Sequence, residues 1–206
     1  MNEYSFIKGE KIVGKKKGPK YNQIIEAAVK VIASHGYHQA QVSKIAKEAG
    51  VADGTIYLYF ENKEDILISL FEEKMGHFVE IIRERISAEL SVEDKFLILV
   101  KTHFEQLQAD KYLAIVTQLE LRQSNTELRL MINKIFKNYL LLLEEILTEG
   151  KEAGYFLADL DNRLARQMVF GTLDEVVTNW VMKDCKYDLL ASAEPVHNML
   201  LRAFRA

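Results

Sequence analysis

Ala52, Asp53, Gly54 and Thr55 are followed closely by Tyr57 and Tyr59, a compact set of small, acidic and aromatic side chains. The chemistry open to such a set is recognition rather than bond making. Ala52 and Thr55 offer methyl groups that fit against thymine, and Gly54 leaves room for close backbone approach. The hydroxyls of Tyr57 and Tyr59 suit phosphate oxygens, as do Ser43, Lys44 and Lys63 around them; Val42 opens the same stretch. Phosphate contacts of this kind supply affinity without reading a base sequence. A plain packing role competes with this reading, because helix–glycine–helix corners are common and aromatics near a corner often belong to the core.

Catalytic patterns are missing. There is no glycine-rich phosphate loop, no nucleophile elbow and no zinc-ligand spacing. Glu144 and Glu145 are neighbours on a helix and point apart, so they do not form a paired-carboxylate site. The five histidines, at 35, 38, 77, 103 and 197, are scattered. Neither an enzyme nor a bound metal or cofactor is expected; His77 and His103 are the histidines placed to face an interior pocket.

The elements that must carry the recognition residues are helical. Ile24, Ala27, Ala28, Val31 and Ile32 share one face of a helix from Tyr21 to His35, stopped by Gly36. Val42, Ile45, Ala46 and Ala49 make a shorter stripe, which Gly50 ends. A second short helix then spans Asp53 to Tyr59, with Ile56, Leu58 and Phe60 supplying its inward face. Two short helices about a glycine corner are the pattern of a helix-turn-helix. Asn62 is a good N-cap for a long helix to about Leu90, with Glu64 and Asp65 in its first turn. Further helices are read from Ser91 to Asp110, Lys111 to Arg122, Thr126 to Ala153, Asp161 to Asp184 and Ala193 to Phe204. The chain is therefore expected to be all-α, with about nine helices and no internal repeat.

The totals agree. The chain has 206 residues, 49% of them hydrophobic, with two prolines and ten glycines. No stretch is long and apolar enough for a membrane span, and a single cysteine, Cys185, fits a reducing cytoplasm. The net charge of −3 hides an asymmetry. Residues 1–63 hold ten lysines and six acids, a balance of +4, which leaves −7 for the remainder. The excess includes the run KKKGPK, and Lys16, Lys17, Lys20 and Tyr21 join the candidate polyanion face. The expected division is a basic arm over 1–18, a helix-turn-helix unit over 19–65 and a larger helical body over 66–206.

The block VSKIAKEAGVADGTIYLYFENKEDIL resembles the DNA-binding domain of TetR-family repressors. The hallmark is Ile-Ala-x-x-Ala-Gly-Val followed by Gly-Thr-x-Tyr-x-Tyr-Phe-x-x-Lys-Glu, and this chain carries it from about Tyr21 to Leu67. Ala52 stands where the family often has serine, so one cap or phosphate hydroxyl is absent. Farther along, AIVTQLELRQSNTELR and RLARQMVFGTLDEVVTNWVMKDCKYDL resemble the branch of the family that represses fatty-acid degradation genes and leaves DNA on binding long-chain acyl-CoA. The resemblance implies a homodimer on a palindromic double-stranded DNA operator.

It also implies an apolar tunnel with cations at its mouth. Phe71, Met75, Phe104, Leu107, Leu119, Phe136, Tyr139, Met168 and Phe170 are the candidate walls, with His103 among them. Arg83, Gln118, Arg122, Asn125 and Arg129 are the candidate polar contacts, since arginine holds phosphate bidentately. Family members dimerise through their last two helices, which here puts Ala165, Met168, Thr172, Val176 and Trp180 at the subunit contact. Two alternatives stand at this point: the same kind of repressor answering to another hydrophobic ligand, and a helical lipid carrier or interaction protein that does not bind DNA.

Overall fold

A computed structural model of the chain describes residues 17–86 and 90–206. Lys16 and most of the basic arm lie outside the described residues. Those described form nine α-helices and no strand: α1 Pro19–His35, α2 Val42–Glu48, α3 Asp53–Ile56, α4 Lys63–Arg85, α5 Val92–Ala109, α6 Lys111–Glu120, α7 Thr126–Glu152, α8 Asn162–Met182 and α9 Ala193–Phe204.

Most helix starts are set by a side chain that accepts an otherwise orphaned backbone N–H. Asn62 accepts from Asp65 N, Ser91 from Asp94 N, Asp110 from Leu113 N, and Asp161 from Arg163 N and Leu164 N. Such caps are worth about 1 kcal/mol each. The α4 helix ends at Arg85, short of the Leu90 read from periodicity. The second short helix is also briefer than expected: α-helical geometry stops at Ile56, and Tyr57 to Tyr59 continue as a hydrogen-bonded turn.

Gly50 sets the corner between α2 and α3. Its φ of +63° is the left-handed conformation that glycine takes at low cost. Val51 N donates to Ala46 O and Gly50 N to Lys47 O, the paired closure that ends a helix and turns the chain sharply.

Helix α1 lies against α2, α4 and α6, so the N-terminal unit rests on the body through α4 and α6. In the body, α4 packs on α7, α5 on α9 and α7 on α8. One continuous apolar core runs from Ile24 in α1 to Phe204 in α9. No described helix is long and apolar enough to cross a membrane.

Candidate functional site

The corner at Gly50 turns the chain so that Ile56 and Phe60 point inward and the other face of the segment meets solvent. Ile45, Ala46, Ile56 and Phe60 are buried. Ala52, Asp53 and Gly54 are exposed, Thr55 and Tyr59 are half-buried, and Tyr57 is 59% exposed. Ser43 and Lys44 lie exposed at the start of α2 with half-buried Val42, and Lys20 is exposed on α1. These residues lie on α1, α2, α3 and the turn after α3, and most of them face solvent. Ala52 caps α3 without a side-chain hydrogen bond, which leaves the first amides of α3 uncapped on the exposed side.

Several assignments are corrected by this geometry. Leu58 is not inward: at 77% it is the most exposed large hydrophobic among the described residues, and it extends the outer surface beside Tyr57. Tyr21 belongs to the interior. Its ring is 1% exposed and stacks on Phe60 at 5.1 Å, and its hydroxyl donates to Glu73. Burial raises its pKa to about 12, so it offers no surface to a polyanion. The signal was available, because Tyr21 stands three residues before Ile24 and seven before Ala28, on the same face. Lys63 is occupied too. Its Nζ donates to the carbonyls of Tyr37 (3.0 Å) and His38 (3.1 Å) and lies 4.6 Å above the Tyr37 ring. Lys17 pairs with Glu73 at 2.5 Å, and that hydrogen bond raises its pKa.

The second region lies inside the body. Met75 and Phe78 of α4, His103 and Leu107 of α5, Leu113, Thr117 and Gln118 of α6, Phe136 of α7, and Phe170 and Asp174 of α8 line a narrow slot. Its cavity is about 30 Å³. That is room for about one water, far below the several hundred Å³ of a formed small-molecule site. The slot is mainly hydrocarbon and aromatic, with polar groups at two places. On one side His103 Nδ1 lies 2.8 Å from the Tyr139 hydroxyl. On the other, Gln118 meets the Thr178 hydroxyl at 2.8 Å, and Asp174 pairs with Arg122.

Of the expected ligand contacts, Met75, His103, Leu107, Gln118, Phe136 and Phe170 line this slot. Phe71 and Phe104 are fully buried core residues outside it. Leu119 and Met168 are half-exposed on outer surfaces and His77 is exposed, so none of the three faces the slot. The polar set divides. Arg122 stands beside the slot through Asp174. Asn125 is the N-cap of α7, accepting from Leu128 N, and Arg129 donates to the Gln123 carbonyl. Arg83 pairs with Glu145. Glu145 sits on α7 about 25 Å from its first turn, so Arg83 takes no part at the α6–α7 corner.

Helix α8 presents two apolar faces, which sequence periodicity merged into one. Ala165, Val169, Leu173, Val177 and Trp180 are buried within the protomer. Trp180 also donates its indole N–H to the Tyr187 carbonyl. Ala165 and Trp180 are therefore core residues and not subunit contacts. Met168, Thr172 and Val176 lie on the outer face, along a groove shared with Gly171, Glu175 and Asn179.

The two regions are joined by a buried carboxylate. Glu120, at the end of α6, accepts from Tyr37 N (2.8 Å) in the N-terminal unit and from Gln123 Nε2 (2.5 Å) at the α6–α7 corner. The α6 helix thus carries the slot residues Thr117 and Gln118 on one face and holds the helix-turn-helix unit with Glu120.

His103 also sets a pH dependence. Burial pushes its pKa down to about 3 from 6.5. Between these values the unfolded chain binds a proton that the folded chain does not. The stability contribution is complete above pH 6.5 and is lost as pH falls toward 3, at about 1.4 kcal/mol per pH unit. Urea unfolding at pH 7 and pH 5 should show the wild type losing about 2 kcal/mol more than His103→Gln over that interval.

A solvent-facing helix-turn-helix mounted on an α-helical body with an apolar interior slot defines a ligand-responsive DNA-binding regulator. The chain belongs to the TetR family. Residues 24–70 match the family described as "Bacterial regulatory proteins, tetR family", and residues 71–203 match "YsiA-like protein, C-terminal region". The chain is 62% identical over 187 residues to the fatty acid metabolism regulator protein of Bacillus subtilis, covering 91% of this chain and 96% of that one. Among solved structures, the fatty acid degradation regulator FadR of Bacillus halodurans is 74% identical, with a TM-score of 0.88 over 91% of this chain and 97% of that one. FadR of Bacillus subtilis in complex with stearoyl-CoA is 61% identical, with a TM-score of 0.85 over 88% and 97%. The match at residues 24–70 sets aside the carrier without DNA work.

Proposed function

We propose that this protein is a dimeric repressor of fatty-acid degradation genes that leaves its operator on binding long-chain acyl-CoA. The single observation that carries the reading is the placement of the apolar slot. It is bounded by α4, which leads directly from the helix-turn-helix unit, and by α6, which grips that unit through Glu120. The relative seen with stearoyl-CoA is similar over nearly its whole length, which favours this effector over an unrelated drug or lipid.

The mechanism follows from the size of the slot. At about 30 Å³ it is closed to an acyl chain, so binding must part Met75 and Phe78 from Phe136 and Phe170. Core packing does not deform continuously, and a wedge in the slot moves whole helices. Movement of α4 and α6 changes how the recognition segment is held. In a dimer, two such segments must match half-sites about 34 Å apart. The outer face of α8, with Leu164, Met168 and Val176, and exposed Met199 of α9 supply apolar surface for the dimer to bury. Arg122, at the edge of the slot, is the cation best placed to exchange Asp174 for a CoA phosphate. No catalysis or cofactor enters this reading, and the protein acts in the cytoplasm beside the chromosome.

Gel shifts on promoters of fatty-acid degradation genes test the proposal. Operator affinity should fall steeply with salt, because each neutralised phosphate releases counterions. Stearoyl-CoA should weaken it by about tenfold or more at fixed salt, as a coupling of ~1–3 kcal/mol requires. Operator affinity unmoved by acyl-CoA would overturn the effector assignment.

A further inference from the structure

His103 lines the slot, and one of its polar atoms is left unanswered by the fold. His103 is 6% exposed, and its Nε2 meets no protein partner. Nδ1 lies 2.8 Å from the Tyr139 hydroxyl, and counting protons fixes the direction of that bond. If Nδ1 donated, Nε2 would carry a bare lone pair and the Tyr139 proton would find no acceptor among the described residues. If Tyr139 donates, only one group is left over, the Nε2–H. Buried polar groups are overwhelmingly satisfied, so the arrangement with fewer orphans is favoured. The ring is neutral in this setting, with burial holding its pKa far below the cellular range. Phe78 and Phe104 stand nearly perpendicular to it with centroids at 5.4 and 5.8 Å, which fixes its orientation.

A single fixed N–H in a hydrocarbon slot selects for an acceptor that carries no charge. A carboxylate would be buried in a slot that already holds the Asp174 carboxylate, with Arg122 paired to it, at high desolvation cost. A hydroxyl beside Nε2 would bring a donor that the imidazole cannot receive, since Nδ1 already accepts from Tyr139. We propose, resting on the acyl-CoA reading above, that His103 Nε2–H donates to the acyl carbonyl oxygen of the effector. His103 then marks the depth at which the thioester sits, and Tyr139 is the positioning residue that presents the correct tautomer. The slot reads the carbonyl as well as the chain.

Three ligands separate the possibilities on the full-length protein by calorimetry: stearoyl-CoA, S-octadecyl-CoA and stearate. The second is a thioether with the same chain and no carbonyl oxygen. Wild type should prefer the thioester to the thioether by about tenfold, the worth of one well-made buried hydrogen bond. Stearate should bind more weakly than stearoyl-CoA; equal binding would overturn the selection for a neutral carbonyl. His103→Phe should bind thioester and thioether equally, and His103→Gln, which keeps an N–H, should restore part of the preference. The paired variant His103→Phe/Tyr139→Phe removes both polar groups together and leaves no orphan, so it carries the comparison if the single variant folds poorly. Equal binding of both CoA ligands to wild type, or a preference that survives in the paired variant, would show that Nε2 serves only a structural water. If neither CoA ligand bound wild type, the effector assignment itself would fall, and not merely the donor.

Discussion

Gly54→Glu should abolish operator binding while leaving the thermal midpoint close to that of wild type. A Cβ built at Gly54 meets no atom within 4 Å, so the fold has space for a side chain. Glycine has no special backbone duty there either, since its φ is not among the positive ones. Glutamate is a better helix former than glycine, and a negative charge in the first turn of α3 suits the dipole. The loss must come from the nucleic acid. Gly54 is exposed in the segment from Ala52 to Thr55, and on the reading proposed above a carboxylate there would meet phosphate. Like-charge juxtaposition in an interface costs several kcal/mol, and a two-fold dimer suffers it twice. Operator affinity should fall by at least about a hundredfold, with the circular-dichroism melt and acyl-CoA binding retained. Retained operator affinity would mean that this strip is not the surface that meets DNA.

That strip was legible because its determinants are local. A glycine at a left-handed corner, a short apolar stripe before it and small residues after it all lie within 20 residues, and the backbone obeys them. The caps at Asn62 and Ser91 were legible for the same reason: the accepting side chain and the amide it serves are three positions apart. The slot was legible only as a set of candidate wall residues, not as a geometry. The approach of His103 to Tyr139 spans 36 residues and depends on how α5 and α7 are rotated in the bundle, which neither helix encodes alone. Periodicity found that Met75, Phe136 and Phe170 are apolar, but not that they stop short of filling the space between them. The two faces of α8 failed for a related reason. Ala165 and Met168 are three residues apart, yet one turns into the protomer and the other out. A helix that is apolar on both sides gives no sign of which side belongs to a partner.

Gly150 shows the same divide between local and tertiary information, and it yields an effect opposite in sign to the one helix propensity gives. Gly150 and Gly154 both lie near the C-terminal end of α7. The helix runs through Gly150 to Glu152, and Gly154, with φ +67°, is the residue that turns the chain. An interior helical glycine should be improved by alanine, by about 1 kcal/mol. Here a Cβ would fall inside the van der Waals envelope of the Phe156 ring. Phe156 cannot retreat easily: it is 1% exposed, its ring packs on Phe96 and Phe204, and its amide donates to the Gly150 carbonyl. Overpacking of a closed core costs about 1–3 kcal/mol and occasionally more. Net of the propensity gain, Gly150→Ala should lose about 1–2 kcal/mol, which for a chain of this length lowers the melting temperature by roughly 2–8 °C. Gly150→Ala in a Phe156→Leu background should cost much less, since residues in contact do not add. Operator affinity of the folded fraction should be unchanged, because α7 ends in the body away from the recognition strip. A melting temperature that rises in Gly150→Ala would show that the close approach of α7 to Phe156 is not how the body is packed.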